Sequence, residues 1–378
     1  MYSALRRQVD RTPDNWVDPL PSAPSSPLED PFHTPIETQI VLQQYESLTL
    51  DDLYQCRPPR FPDRERYALN MGLCKLFHDD WIEVDERYLA YHSVRAKILE
   101  EMGSEAIHRV SGAEEAEKEL FDEVVKHLIQ KHGRFFEIIQ SSPHISEKDG
   151  RQYASFSPRR IRNRLTGEEY RISQPTIPSP MEIVARLCQE DFSLLVKEQD
   201  GSHRLSVSLL ATLFPAAWRL RERIGWHVTD LHGTVPMWPE KLSAPVEHYF
   251  SRLSSDSNMA RFAFFPVVIP AGSTPAPHTF LFAQTPEDLV PKTPPARPEE
   301  VIFRFERQIF RRLPKTSAIV FTVKTSMAPL TSLNLEDCRR LAVTVRSWPA
   351  EVAEYRGVLI WGDMVLDWCD AQQKEYME

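Results

Sequence analysis

Nowhere in its 378 residues does this chain approach the ~20 consecutive apolar residues of a membrane span. Cysteine is sparse and scattered: Cys56, Cys74, Cys188, Cys338 and Cys369 form no CxxC pair, no zinc-type spacing and no CxxCH segment. That spacing excludes a sequence-local zinc site, an iron–sulfur cluster and covalent haem attachment, and it reads as reduced, mostly buried thiols. No GxGxxG follows a strand, so the chain carries no dinucleotide fingerprint. There is no basic excess either. A formal net charge of −9 argues against nucleic acid as the main partner. Arg6 and Arg7 lead into polar, Pro-rich sequence rather than an apolar signal segment, and a cytoplasmic protein is expected.

What is present is a globular composition, 42% hydrophobic and 10% aromatic, in a chain long enough for one large or two ordinary domains. Residues 1–35 (PLPSAPSSPLEDPFHTP and its surroundings) read as a disordered Pro/Ser-rich arm, and 36–378 as one domain with its core at about 180–350. Apolar spacing predicts a short helix over Met71–Leu76, a longer one over Trp81–Met102, an amphipathic helix over 113–140 and another over Pro180–Phe192. Between them, 141–178 reads as a polar, basic loop around Arg159, Arg160, Arg162 and Arg164. Strands are expected at Phe192–Val196, Arg204–Phe214, Arg261–Ile269, His278–Phe282, Val301–Arg312 and Ala318–Lys324. A last helix runs from Leu335 to about Arg346, and Val358–Trp361 is expected to pack back on the sheet. Helices, then mostly antiparallel strands, then a closing helix describe an α+β fold with an N-terminal helical region.

The densest stretch is Arg304–Pro314, RFERQIFRRLP, followed by KTSAIVFTVKTSMAPL. Strand alternation sends Arg304, Glu306 and Gln308 to one face, and Phe303, Phe305, Arg307 and Ile309 to the other. A face carrying Arg, Glu and Gln is either solvated or built to hold an anion.

This stretch resembles the arginine-rich RxERQ…RLP…AIvFTxxTxxxPL signature of the haem-dependent oxidative N-demethylase alpha-subunit family. Further blocks are similar in the same order. They are Asn70–Leu73 with Asp80–Tyr88, Thr166–Glu168, Ala185–Phe192 with its QEDF, and Phe214–Trp218 ahead of LHGTVP at Leu231–Pro236. The resemblance covers roughly residues 65 to 350 and implies a PAS-like core: an antiparallel sheet flanked by helices with haem b between them. It further implies O2-dependent N-demethylation of a small secondary or N-methylated amine. Electrons would come from a separate reductase carrying FMN and a 2Fe-2S cluster and using NADPH. A non-catalytic haem-binding sensor with the same pocket is the alternative.

Haem without CxxCH needs a protein axial ligand. The resemblance points to His232, with His227 as fallback and Gly233 allowing close approach of the macrocycle. Haem propionates call for arginines, for which Arg304, Arg307, Arg261 and Arg219 stand out in that order, and Glu306, Arg307 and Gln308 form the expected catalytic group. Glu306 either holds a substrate ammonium or pairs with a neighbouring arginine. Family members commonly show Arg-x-Asn-Trp where this chain reads Arg261-Phe262-Ala263-Phe264, which implies a more apolar pocket and a poor fit to dimethylamine.

Overall fold

The computed structural model describes residues 50–53, 61, 67–76, 80–140, 144–148, 151–155, 159–173, 180–209, 223–233, 235–269, 272 and 293–377. Its strands are β1 (Cys74–Leu76), β2 (Ile107–Arg109), β3 (Phe136–Ile139), β4 (His144–Lys148), β5 (Arg151–Ser155), β6 (Arg160–Asn163), β7 (Glu169–Arg171), β8 (Asp191–Lys197), β9 (His203–Leu209), β10 (Asn258–Val268), β11 (Val301–Arg312) and β12 (Ile319–Pro329). Its helices are α1 (Tyr88–Met102), α2 (Glu114–His132), α3 (Pro180–Leu187), α4 (Val228–Leu231), α5 (Ser243–Arg252), α6 (Leu335–Arg346), α7 (Ala350–Tyr355) and α8 (Val358–Met377). No helix among the described residues is long and apolar enough to cross a membrane.

The centre is a seven-stranded antiparallel sheet ordered β1-β10-β11-β12-β8-β9-β2. An α+β fold with a large antiparallel sheet between helices is therefore what the chain adopts. The β11–β12 hairpin is its spine, and it is clamped from outside. The buried Glu119 carboxylate of α2 accepts from Lys315 N at 2.6 Å, Thr316 N at 2.7 Å and Thr316 Oγ1 at 2.6 Å, closing the turn that the KTS tripeptide makes.

One sheet face carries Phe303 and Phe305, which pack with Leu341, Val345 and Trp361 of α6 and α8; farther along it, Ile309 joins the core formed with α1 and α2. On the opposite face, Phe310 packs with Trp238, Val246 and Phe250 in and around α5. Both faces of β11 are thus covered, which is why a strand with six charged or amide side chains is buried almost throughout.

Several expectations change. Met71–Leu76 is not a helix. Gly72 turns at φ 65°, its N–H bound by Asn70 Oδ1, and Cys74–Leu76 pairs with β10. The long helix starts only at Tyr88, because hydrogen bonds from Glu83 N to Glu190 Oε1 and from Asp85 N to Gln189 Oε1 hold the residues before it non-helical. The amphipathic helix stops at His132, after which Phe136–Ile139 forms β3. In place of the basic loop stand the β4–β5 hairpin and the β6–β7 pair. Val358 opens a 20-residue helix, well beyond the short apolar run the sequence suggested. The strand expected at 278–282 and the arm at 1–35 lie outside the described residues.

Candidate functional site

Register fixes which side chains share the face opposite α6 and α8. In β10 these are Arg261, Ala263 and Phe265; beside them in β11 stand Gln308, Glu306 and Arg304; next in β12 come Val323, Thr325 and Met327. Arg304, Glu306 and Gln308 are all buried, so this face is not a solvated one. Arg304 Nη2 donates to Glu306 Oε1, and Gln308 Nε2 donates to Glu306 Oε2 at 2.6 Å. Both carboxylate oxygens are therefore held by neighbours two residues away on the same strand.

Arg307 is on the other face. Its guanidinium donates to Trp81 O at 3.0 Å and to Asp80 O, and lies 3.3 Å from Glu83. It ties down the 80–83 segment and is not brought together with Glu306 and Gln308. Phe264 also faces away, with Phe61 at 4.9 Å and Trp348 at 5.8 Å. The expectation that Ala263 and Phe264 together line one pocket is corrected accordingly: only Ala263 stands beside Glu306.

His232 follows α4 directly. Its Nδ1 lies 3.0 Å from Val228 O, and because a carbonyl only accepts, Nδ1 carries the proton. The ring stacks on Trp238 at 4.2 Å and 19°, seated by Met237 in the left-handed region at φ 59°, a conformation uncommon for a residue with a Cβ. Burial, with a further push from the Arg261 guanidinium, lowers the imidazole to about 4, so it is neutral at physiological pH. The charge of Arg261 is thus felt at His232, 29 positions away in the sequence.

The other expected residues are less directly placed. His227 is partly buried, its Nδ1 2.8 Å from Ser202 Oγ, and it bridges to Arg204. Gly233 is exposed, and a Cβ there would lie 3.4 Å from Asp230 O, an ordinary contact, so the fold itself does not require glycine. Arg219 lies outside the described residues.

Two groups on this face had no signal in the sequence. His203 of β9 is fully buried, with Nδ1 2.7 Å from Glu247 Oε2 and an Nε2 that finds no hydrogen-bond partner among the described residues. Arg356, between α7 and α8, reaches the edge of β10, where Nη1 donates to Phe264 O at 2.9 Å. Only an alternation pattern marks strand faces in a sequence, and Arg356 comes from a turn that no such pattern assigns to a face.

A family model, haem-dependent oxidative N-demethylase, alpha subunit-like, matches residues 72–366. The chain belongs to this family. Three of the blocks that carry the resemblance bind one another, Glu168 lying 3.7 Å from Arg186. Asp85 and Gln189 exchange hydrogen bonds, Glu83 N donates to Glu190, and Arg95 of α1 bonds Asp191 at 2.6 Å. Glu168 meets His92 at 2.7 Å. These blocks build the scaffold under the sheet, whereas the arginine-rich strand and the LHG segment meet on its other side.

Proposed function

We propose that this chain is the haem-binding subunit of an oxidoreductase that uses O2 to remove an N-methyl group oxidatively from a secondary or N-methylated amine. Electrons arrive from a separate reductase carrying FMN and a 2Fe-2S cluster and fed by NADPH. The observation that carries this reading is the convergence on one sheet face of a neutral, oriented histidine, Arg261 and the Arg304–Glu306–Gln308 chain.

The residues fit the group. Haem b needs a neutral imidazole whose far nitrogen is fixed by a hydrogen bond, and cations for two propionates. His232, with Nδ1–H on Val228 O, presents Nε2 as its lone-pair nitrogen. Arg261 and Arg304, with Arg219 as the third candidate, would supply the cations, and Gly233 would let the macrocycle approach the backbone. When bound, haem supplies the O2-activating redox chemistry that side chains lack.

The chain's own work is then positional and electrostatic. Glu306, its two oxygens fixed by Arg304 and Gln308, offers a preorganised carboxylate to a substrate ammonium. Ala263 beside it leaves the neighbouring wall apolar and small. Arg307 acts from behind the sheet by holding the 80–83 segment. We further read 36–378 as one domain with a PAS-like core at about 180–350, working in the cytoplasm.

Purified protein should show a Soret band, lose its haem to acid-acetone, and consume NADPH and O2 with a flavin and iron–sulfur reductase only when an amine is added. A protein that stays colourless after haem reconstitution sinks the reading. Haem without amine-dependent O2 consumption moves it to the sensor.

A further inference from the structure

The site face holds more positive charge than its carboxylate can match. Arg304 is paired with Glu306. Arg261, partly buried two positions along β10 from Ala263, makes no side-chain hydrogen bond or ion pair to any described residue. Arg356 likewise has no carboxylate partner among them; its guanidinium donates to Phe264 O and lies over the rings of Phe265 at 5.1 Å and Trp348 at 5.3 Å. Arg304 approaches the same Phe265 ring, at 5.7 Å.

How Arg356 gets there follows from topology. β1 pairs with β10 only through 258–260, so no described strand covers that edge of β10 over 261–268. The α6–α8 unit packs on the far face, and Gly357, at φ 70°, turns the chain immediately after Arg356 at that edge. Phe265, under the Arg356 guanidinium, shares the face of Arg261 four positions along β10, and the charges of Arg261, Arg356 and Glu306 act on one another there. Two partly desolvated guanidiniums side by side repel unless an anion joins them.

We propose that Arg261 and Arg356 form a paired-guanidinium site that binds a carboxylate-bearing ligand, Arg356 being delivered to it at that edge of β10 by the C-terminal helices. The proposal rests on the haem reading for its occupant, which is the propionate edge of the macrocycle. A planar fork from each arginine matches a carboxylate in two hydrogen bonds, and stacking on Phe265 and Trp348 pre-orients the Arg356 fork.

The test titrates apoprotein with haemin and with haemin dimethyl ester, whose propionates are uncharged. The variants are Arg261→Gln, Arg356→Gln and Arg356→Lys, each first checked for folding by circular dichroism and melting. Wild type should bind the ester roughly 10- to 100-fold more weakly than haemin, the loss expected for a charged hydrogen-bonded pair. Each Gln variant should weaken haemin by a similar factor and leave the ester unchanged, and Arg356→Lys should recover part of the loss. Because Arg261 makes no hydrogen bond to any described residue, its variant keeps the test open if Arg356→Gln unfolds.

Haemin and ester binding equally to wild type, or weakened equally by folded variants, overturns the proposal while leaving the haem reading intact. If wild type binds neither macrocycle, the haem reading falls, and succinate decides the arginine pair. Stabilisation of wild type by succinate, beyond chloride at equal ionic strength and lost in both Gln variants, sustains a carboxylate site. Its absence ends the proposal.

Discussion

Arg304 and Glu306 point the same way from β11 and close an ion pair, each less than a tenth exposed. A buried pair of this kind adds little net stability over an apolar pair, but removing one partner strands the other charge. Glu306→Ala should cost about 3–5 kcal/mol of unfolding free energy by that reasoning, and Glu306→Gln clearly less, because an amide oxygen still accepts from Arg304. Urea denaturation of the three proteins checks the order; equal losses for Ala and Gln would mean that the charge is immaterial.

Arg307 is one residue from Glu306 and serves another part of the molecule. Arg307→Ala removes its bonds to Asp80 O, Trp81 O and Glu83, and should cost about 1–3 kcal/mol in stability. Haem retention should not change. Arg304→Ala should lower both stability and haem retention. A Soret titration showing the opposite assignment would turn the strand over.

Three histidines can be ranked as axial ligands by what orients them. His232→Ala should abolish haem retention or shift the spectrum, since its Nδ1–H is fixed on a backbone carbonyl and its ring is stacked on Trp238. His227→Ala should have a smaller effect, as that ring serves Ser202. His203, with Nδ1 on Glu247, is the control to include: its loss should destabilise the protein and leave the spectrum of the remaining haem unchanged. A spectral shift in the His203 variant instead would reassign the ligand to the Glu247-oriented ring.

Much of the sheet was readable in advance, and the reasons differ by element. β11 ends where alternation put it, at Val301 and Arg312, because a β-rich run bounded by a proline turn leaves little freedom. The face shared by Arg304, Glu306 and Gln308 follows from the same period of two. By contrast, Met71–Leu76 was misread because apolar spacing over six residues fits a helix turn as well as a strand; only the positive φ of Gly72 decides. Residues 81–87 were misread because side chains more than 100 positions away hold them non-helical. His203 and Arg356 were invisible for the same reason. Their partners, Glu247 and Phe264 O, are set by tertiary packing and leave no local pattern.

Opposite titrations should shape the acid limb of stability. The buried Glu190 carboxyl is pushed up to about 7, chiefly by burial and against the pull of Lys324. His127, buried beside Trp81, is pushed down to about 4, again chiefly by burial. Between an unfolded value of 4.5 and about 7, the fold keeps a proton on Glu190 that the unfolded chain releases. That contribution favours folding below pH 4.5 and is lost as pH rises through 7. Between about 4 and 6.5, the unfolded chain takes a proton that His127 refuses, so its contribution is present above pH 6.5 and lost as pH falls through 4. Each is on the order of 3 kcal/mol at about 1.4 kcal/mol per pH unit. Glu190→Gln should therefore stabilise above pH 7 and steepen the loss toward pH 4.5, and His127→Gln should flatten it. Urea midpoints at half-unit pH steps read both slopes; parallel curves for Glu190→Gln and wild type refute the assignment.

On the proposed function, Ala263 is the residue expected to set substrate preference. Ala263 and Phe264, which stand where the resemblance leads one to expect Asn-Trp, leave opposite faces of β10. Ala263 stands beside the Glu306 carboxylate, where an asparagine amide would add a hydrogen-bonding group for a small ammonium. Phe264 is packed edge-on against Phe61 and stacked on Trp348 in the other core, where a tryptophan would overfill the space at about 1–3 kcal/mol. With reductase supplied, the unmodified chain should turn over dimethylamine poorly, since a small cation gains little from an apolar wall. Ala263→Asn by itself should raise that turnover, measured as formaldehyde release. Phe264→Trp should lower the melting temperature and leave substrate preference where it was. If the gain requires both changes, Phe264 reaches the site indirectly through the strand; if dimethylamine is already a good substrate, Ala263 is not what selects the amine.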